Sequence, residues 1–149
     1  MRIRLANLED VDQLHQVFHQ SWKAFHEKYR KEFKEEASSS TKYRIVAYDY
    51  YVIVDDHEII GGIEIRREKY DVYRLHRMFI RPDRQGEGIG RHVVREIEKK
   101  YPECKTWKTD TPEFAESNHH FYESLGYKEV GNEKVDTISL KIYEKQLED

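Results

Sequence analysis

The sequence is poor in cysteine and lacks long hydrophobic runs. The single cysteine among its 149 residues, Cys104, excludes an intramolecular disulfide and a four-cysteine zinc site. No segment approaches the roughly 20 apolar residues that a membrane-spanning helix needs. Residues 1–5 also lack the apolar core of a signal peptide. These absences predict one soluble domain over residues 1–149, in a reducing cytoplasm and without a membrane partner.

A large excess of one charge sign is also missing. The chain has 26 lysines and arginines against 29 aspartates and glutamates, a net charge of −3 with histidine neutral. This balance argues against a general nucleic-acid binder. Residues 66–91 depart from the average, because they carry eight basic and four acidic side chains. That segment predicts a local positive field suited to a polyanionic ligand.

Apolar periodicity and turn residues predict the element order β-α-α-β-β-β-α-β-α-β-β. Asn7 and Asp10 resemble a capping pair at the first helix. The predicted helices cover residues 8–18, 22–36, 89 to about 101 and 115–125, with a loop at 37–41. The predicted strands cover 3–5, 44–54, 58–67, 72–80, 104–109, 127–130 and 135–143, with a turn at 55–57. Short connections among the second to fourth strands favour an antiparallel meander in a mixed α/β domain.

Residues 85–90, Gln-Gly-Glu-Gly-Ile-Gly, lie between a predicted strand and a predicted helix. Free N–H groups and the dipole at a helix start favour phosphate or pyrophosphate, and glycines allow close approach. A plain tight turn is the alternative. The loop lacks the Gly-Lys-Ser/Thr ending of a Walker loop. Its glycines at 86, 88 and 90 also miss the Rossmann spacing, and it lies mid-chain after a meander.

The loop instead matches the Q/R-x-x-G-x-G/A pyrophosphate loop of the GNAT superfamily of acyl-CoA-dependent N-acetyltransferases. Residues 118–127, Asn-His-His-Phe-Tyr-Glu-Ser-Leu-Gly-Tyr, resemble the segment near the end of GNAT domains. The resemblance extends over nearly the whole chain. It implies a single-domain GNAT-like α/β fold, with a mixed, mostly antiparallel sheet, splayed central strands and about four flanking helices.

The resemblance also implies acetyl-CoA as co-substrate. It assigns the pyrophosphate to the loop, the pantetheine arm to the backbone of the preceding strand, and a cofactor hydrogen bond to the asparagine. A backbone N–H of that strand, at Met78 or Phe79, is expected to face the acyl carbonyl. The implied cofactor-binding residues are Met78, Phe79, Ile80, Gln85, Gly86, Glu87, Gly88, Ile89, Gly90, Arg91 and Asn118.

Tyr122 is the implied general acid, because a tyrosine can return a proton to a departing thiolate. The ordinary alternative is a buried core tyrosine. Many family members use a glutamate on a central strand as base, but residues 72–80 contain none. His76 and Glu64 are equal candidates, with Asp110 as a further option. His76 could equally be a packing or solvated histidine, and Glu64 could simply face solvent.

No metal is expected. His15 and His19 are four residues apart and could share an ion, but no third ligand follows at a clear spacing. An ordinary pair of histidines is the simpler interpretation.

The sequence therefore predicts an enzyme that transfers an acetyl group from acetyl-CoA directly to a primary amine of a small molecule or peptide. The acceptor stays open, and a homodimer is an option because dimers are common in the family. Two alternatives stay open as well. One is a catalytically inactive CoA-binding sensor or regulatory module, and the other is an interaction domain whose glycine loop is only a turn.

Overall fold

The computed structural model describes residues 1–147. Its strands are β1 (Arg2–Leu5), β2 (Asp49–Asp55), β3 (Glu58–Lys69), β4 (Val72–Ile80), β5 (Thr106–Pro112), β6 (Lys128–Val135) and β7 (Ile138–Gln146). Its helices are α1 (Val11–Lys28), α2 (Ser38–Ala47), α3 (Ile89–Lys100) and α4 (Glu116–Ser124), with 3₁₀ turns at Leu8–Asp10 and Pro82–Arg84. Within these residues, no helix is long and apolar enough to cross a bilayer.

The strands form one mixed sheet in the order β1-β2-β3-β4-β5-β7-β6. The chain divides into two compact units, which are described separately below. The first unit contains residues 1–65 and 77–94, and the second contains residues 66–76 and the described residues from 95 onward. The predicted element order is confirmed, and so is the predicted fold class.

The predicted capping arrangement at the first helix is confirmed. The Asn7 side chain accepts from the Glu9 backbone N–H at 2.9 Å, and the Asp10 carboxylate accepts from the Asn7 N–H at 2.8 Å. Arg4 of β1 donates two further hydrogen bonds to Asp10, at 2.8 and 3.0 Å. Because Asp10 is buried, this ion pair connects the first strand to the start of α1 inside the first unit.

The prediction of a separate helix over residues 22–36 is wrong. Helix α1 continues without interruption to Lys28 and ends in a Schellman motif. The Lys31 N–H donates to the His26 carbonyl at 2.9 Å, and the Arg30 N–H donates to Glu27 at 3.2 Å. Arg30 adopts a left-handed φ of 55°, where glycine is the usual residue. No glycine therefore marked the end of the helix in the sequence.

The second helix lies where a loop and the start of a strand were predicted. Helix α2 begins at Ser38, and β2 begins at Asp49 instead of residue 44. Thr41 is 1% exposed, and its hydroxyl lies 2.9 Å from Nδ1 of His15 on α1. Packing of α2 on α1 thus determines the conformation of a segment whose serines and β-branched residues gave no helical signal.

The hairpin between β2 and β3 follows the prediction. Asp56 and His57 adopt φ values of 49° and 66° in the turn between the antiparallel strands β2 and β3. Strands β4 and β5 are parallel, and in the described chain their register pairs Val72–Arg74 with Thr106–Lys108. Beyond that stretch, the Thr109 hydroxyl donates to the Leu75 carbonyl at 3.0 Å. This side-chain hydrogen bond lies just beyond the last residues that the two strands pair through their backbones.

The core of the first unit packs one face of α1 against the sheet. Its members are Leu14, Val17 and Phe18 from the helix, with Tyr50, Val52, Ile59 and Phe79 from the strands. The helical members recur at the spacing of a single helix face, which is why the periodicity predicted them. Gly61 and Gly62 of β3 lie where β4 and α1 approach most closely, and a Cβ at Gly61 would collide with the Phe79 carbonyl oxygen.

Aromatic side chains dominate the core of the second unit. Trp107 is fully buried, and its ring makes edge-to-face contacts with Tyr73 and Tyr101 at centroid distances of 5.8 Å. Tyr127 and Tyr143 are also buried, and their hydroxyls donate to Glu98 and Glu123 at 2.9 Å. The buried phenols thereby obtain the partners that buried hydroxyls require.

The close approach at Gly61 predicts an asymmetric response to Gly→Ala substitution. Gly61→Ala should destabilise the fold by about 1–3 kcal/mol, because the added methyl must displace backbone atoms. Gly131→Ala is the matched control, since a Cβ there meets nothing within 4 Å. Urea unfolding of both variants measures the difference. Equal stability of the two would contradict the close approach.

The Arg4–Asp10 pair predicts a pH-dependent contribution to stability. The hydrogen bonds from Arg4 hold the pKa of Asp10 below its usual value, and the Asn7 N–H adds to this effect. The stabilisation is therefore present above the unfolded-state pKa of about 3.9 and is lost as the pH falls through the folded-state pKa. Asp10→Ala should cost roughly 1–2 kcal/mol at pH 7.

The cost of Asp10→Ala should shrink as the pH falls below about 4. Denaturant unfolding at pH 7 and at pH 3 measures this change. The exposed Asp12, substituted by alanine, serves as the control. A pH-independent cost for Asp10→Ala would show that the charge does not contribute.

Candidate functional site

The glycine loop joins the end of β4 to the start of α3 in the first unit. Gly86 and Gly88 adopt left-handed φ values of 81° and 80°, and a Cβ on either would meet nothing within 4 Å. The Gln85 side-chain amide donates to the Ile80 carbonyl at 2.9 Å. The His92 N–H donates to the Gly88 carbonyl at 3.2 Å, which starts the helical ladder. The loop is therefore open on its outer side and attached to β4 at its beginning.

The chemistry of this geometry suits an anion. The first N–H groups of an α-helix have no partner within the helix, and the helix dipole places partial positive charge there. Helix α3 is 12 residues long, and Gly88 directly precedes it. Because Gly86 and Gly88 carry no side chains, a phosphate group can approach their backbone closely.

The charge excess predicted for residues 66–91 is largely balanced in the structure. The arginines at both ends of the 3₁₀ turn before the loop contact carboxylates within their own unit. Arg81 contacts Asp83 at 2.6 Å and Glu58 at 3.3 Å, and Arg84 contacts Asp55 at 2.9 Å and Glu87 at 3.2 Å. Two of these four carboxylates lie outside the counted segment. The sequence count of +4 therefore overstates the local field.

The strand before the loop contains a break in its extended backbone. Phe79 and Ile80 are buried at the end of β4, whereas Met78 is partly exposed. Arg77 adopts a left-handed φ of 47°, a conformation that costs a non-glycine residue roughly 1–2 kcal/mol. The guanidinium of Arg77 lies 4.1 Å from the centroid of the Phe18 ring. The strain at Arg77 directly precedes the backbone that was predicted to hold the pantetheine arm.

Asn118 and Tyr122 lie one turn apart on α4, in the second unit. The Asn118 amide donates to the Thr111 hydroxyl at 3.2 Å, and the Tyr122 hydroxyl is hydrogen-bonded to Thr109. Both threonines are buried and lie on the same face of β5, as alternation along a strand requires. The predicted pairing of Asn118 and Tyr122 on one helix face is thus present, and this face meets β5.

Tyr122 is an acid that stays protonated. Burial raises the pKa of Tyr122 to about 12, the hydrogen bond with Thr109 opposes this rise, and the charge of Asp110 adds to it. The side chain is 8% exposed. At neutral pH the phenol is therefore neutral, with its proton available for donation.

The three candidate bases occupy different environments. Glu64 is fully buried, so the expectation that it could face solvent is wrong, and its Oε1 lies 2.8 Å from Nη1 of Arg44. His76 is partly exposed on β4. Burial raises the pKa of Asp110, although Arg74 forms an ion pair with it at 2.6 Å.

A cluster of charged groups in the first unit escaped the sequence analysis. It consists of Glu36, Arg44, Tyr50, Glu64 and Arg77, and it is called the buried ion cluster below. Burial raises the pKa of the Tyr50 phenol, and the charges of the other four members act on it. Its members come from five separate stretches of chain. No local pattern could have connected them.

The histidines considered as metal ligands have ordinary partners. His15 lies 2.9 Å from the Thr41 hydroxyl, and His19 lies 3.3 Å from Glu35. Between residues 1 and 147, no group of three or more histidine, cysteine, aspartate or glutamate side chains is arranged to hold a metal ion.

Sequence comparison identifies a known domain family. The model of the acetyltransferase (GNAT) domain matches residues 47–129, which is more than half of the chain. YrkN of Bacillus subtilis (strain 168), described as an uncharacterized protein, is 32% identical over 73 residues. This match covers 48% of the chain and only 40% of that relative.

Solved structures share the fold over almost the full length. PaiA N-acetyltransferase from Thermoplasma acidophilum, in complex with coenzyme A, has a TM-score of 0.82 at 21% identity, with 98% of both chains covered. A GNAT family acetyltransferase from Elizabethkingia anophelis, with acetyl-CoA bound, has a TM-score of 0.74 at 10% identity. That superposition covers 98% of this chain and 97% of the other. The sequence match and the shared fold together show that the chain belongs to the GNAT acetyltransferase family.

Proposed function

We propose that the chain, as one acetyltransferase domain, transfers an acetyl group from acetyl-CoA directly to a primary amine. The observation that carries this proposal is the open loop with left-handed Gly86 and Gly88 at the start of α3, which suits a pyrophosphate. Structural neighbours with coenzyme A or acetyl-CoA bound support the choice of cofactor. The reaction belongs in a reducing compartment such as the cytoplasm, where the free Cys104 is stable.

The proposed cofactor contacts divide by chemistry. Backbone N–H groups over residues 85–91 bind the pyrophosphate oxygens, and the backbone of Met78, Phe79 and Ile80 pairs with the amide groups of the pantetheine arm. An N–H of Met78 or Phe79 donates to the acetyl carbonyl as negative charge develops on its oxygen. Asn118 supplies one side-chain hydrogen bond to the cofactor.

The proposed transfer forms one bond and breaks one bond at the thioester carbon. The acceptor ammonium first loses a proton, and the neutral amine nitrogen attacks the acetyl carbonyl. The nitrogen of the resulting tetrahedral intermediate loses its second proton to solvent. Collapse of the intermediate then breaks the carbon–sulfur bond and expels a thiolate, and the ordinary pKa of a thiol is about 8.5. The products are an acetamide, coenzyme A in its thiol form and one released proton.

Tyr122 is the proposed donor of the proton that the thiolate receives. Its pKa of about 12 lies above that of the thiolate, so the phenol reaches the reaction in its protonated form. Burial also keeps water away from this proton. Bulk solvent restores the proton after product release.

Glu64 and His76 are the proposed alternatives for accepting the proton of the acceptor amine. Glu64 lies in the first unit and has the guanidinium of Arg44 beside it. His76 is partly exposed, and histidine is the side-chain type that ordinarily exchanges a proton near neutral pH. The pH profiles of Glu64→Gln and His76→Gln distinguish them, because only loss of the true base removes the acidic limb of kcat/KM.

Two measurements separate the enzyme from its alternatives. Calorimetric titration with acetyl-CoA detects cofactor binding, and release of coenzyme A thiol across a panel of primary amines detects turnover. Binding with turnover supports the enzyme. Binding without turnover on any amine supports an inactive sensor, and absence of binding supports an interaction domain.

The glycine loop predicts a loss of cofactor affinity for Gly88→Glu. The substitution places a carboxylate where the pyrophosphate is proposed to lie, so acetyl-CoA binding should fall below detection. Gly88→Asn is the matched control, because asparagine tolerates the left-handed φ of 80° and adds no charge. Calorimetry compares the two. Wild-type affinity in Gly88→Glu would remove the loop from the cofactor site.

The protonated phenol predicts a selective loss of turnover for Tyr122→Phe. We expect kcat to fall by about 100-fold or more, while the Kd for acetyl-CoA stays unchanged. Tyr143→Phe is the control, since it removes another buried phenol hydroxyl, one bonded to Glu123. Because the pKa is about 12, wild-type kcat should not decline between pH 8 and 10 through loss of this proton. Equal turnover in Tyr122→Phe would exclude the role.

A further inference from the structure

The buried ion cluster brings together two guanidinium groups, two carboxylates and a phenol in the first unit. Glu64 is fully buried and Tyr50 is 1% exposed. Arg44 contacts Glu64 at 2.8 Å, and Arg77 contacts the Oε2 atom of Glu36 at 2.9 Å. Charges removed from water to this degree need partners for every donor and acceptor. Each polar atom of the cluster therefore requires a hydrogen-bond partner.

Three donors of the cluster remain unsatisfied. In the described part of the chain, the Tyr50 hydroxyl, Nε of Arg44 and Nη1 of Arg77 are buried and have no hydrogen-bond partner. A buried donor without a protein partner costs stability, and an incoming acceptor removes that cost. A group that is rich in hydrogen-bond acceptors would satisfy these three donors. A carboxylate accepts about four hydrogen bonds and can receive a guanidinium through two oxygens.

Glu36 is the less buried carboxylate of the cluster, although its Oε2 atom is buried and Nη2 of Arg77 contacts both of its oxygens, at 3.2 and 2.9 Å. Its side chain is 32% exposed, and it lies in the irregular segment between α1 and α2, outside any helix or strand. Glu64, by contrast, is fully buried within β3. A ligand carboxylate that took the place of Glu36 on Arg77 would release Glu36 to solvent. Its departure would leave two guanidinium groups against one carboxylate, a net positive charge in a buried position.

We propose that the amine acceptor carries a carboxylate, which replaces Glu36 on Arg77 and receives hydrogen bonds from Tyr50 and Arg44. This inference rests on the proposed function, since it names the substrate class of the same enzyme. Replacement of the Glu36 carboxylate by the carboxylate of the acceptor keeps the number of buried positive and negative charges equal. Arg77 directly precedes Met78, and it is held by its left-handed backbone and by the Phe18 ring 4.1 Å away.

A purely cationic acceptor fits the cluster poorly. A polyamine would leave the three donors unsatisfied, and its charge would be repelled by Arg44 and Arg77 once Glu36 moved away. An amino acid supplies both required groups, an amine to acetylate and a carboxylate to bind. Amino acids or short peptides with a free C-terminal carboxylate near the amine are thus the predicted class.

Matched acceptors test the inference on the full chain. L-alanine, L-phenylalanine and L-glutamate are compared with their C-terminal amides and with spermidine, using release of coenzyme A thiol to obtain kcat/KM. At least one carboxylate acceptor should exceed its amide by tenfold or more. Equal or higher kcat/KM for the amides, or for spermidine, would overturn the inference.

Three variants test whether the buried ion cluster causes the preference for a carboxylate acceptor. Tyr50→Phe should raise KM for the best carboxylate acceptor several-fold and leave KM for its amide unchanged. Its thermal midpoint should not fall, because the lost hydroxyl has no partner. Glu36→Gln should lower KM for the carboxylate acceptor, because the internal competitor is gone. Glu35→Gln is the matched control, as the neighbouring carboxylate is 78% exposed and contacts His19 instead. Unchanged KM values in Tyr50→Phe and Glu36→Gln would overturn the inference.

Direct binding separates failure of this inference from failure of the proposed function. Acetyl-CoA titration tests the cofactor site alone. Saturation-transfer NMR with the three amino acids, in the presence of coenzyme A, tests the carboxylate site without turnover. Acetyl-CoA binding with no amino-acid signal overturns the carboxylate acceptor and leaves the acetyltransferase proposal standing. Absence of acetyl-CoA binding to the full chain overturns both the carboxylate acceptor and the acetyltransferase proposal.

Discussion

The close approach of β3 to β4 at Gly61 and Gly62 is the constraint on which the first unit depends. The absence of side chains at these positions lets the Phe79 carbonyl and ring, together with Leu14 of α1, lie directly against β3. The end of β4 is thereby fixed. The Arg81 N–H donates to the Ile60 carbonyl at 2.7 Å, and the glycine loop follows within a few residues. Any side chain at Gly61 would move the strand that leads into the loop.

Two buried phenols differ in their hydrogen bonding. Burial raises the pKa of both Tyr122 and Tyr50, but only Tyr122 has a hydroxyl partner, the side chain of Thr109. The Thr109 hydroxyl donates in turn to the Leu75 carbonyl, so the Tyr122 phenol belongs to a short hydrogen-bonded chain. The Tyr50 hydroxyl lies among charged groups without a partner, which suits an incoming acceptor group. From the composition alone, both tyrosines would be expected in an aromatic core.

The sequence correctly predicted the elements whose ends carry capping or turn residues. Asn7 and Asp10 marked the start of the first helical segment, and apolar runs between turn residues marked the strands, whose order followed the prediction. The end of α1 had no such marker, because Arg30 occupies the left-handed position where glycine is usual. The position of α2 likewise depended on packing of Thr41 against α1. Both failures arise where tertiary contacts outweigh local preference.

The family resemblance, the glycine loop and the Asn118–Tyr122 spacing could be read from the sequence, because the motifs that carry them are short continuous segments. The state of the charges became visible in the folded chain. The tertiary structure showed that carboxylates balance the arginines around the loop, and that Glu64 is buried beside Arg44. It also assembled the buried ion cluster. Burial and ion pairing depend on side chains that lie far apart in the chain, and no periodicity or local spacing records which of them meet.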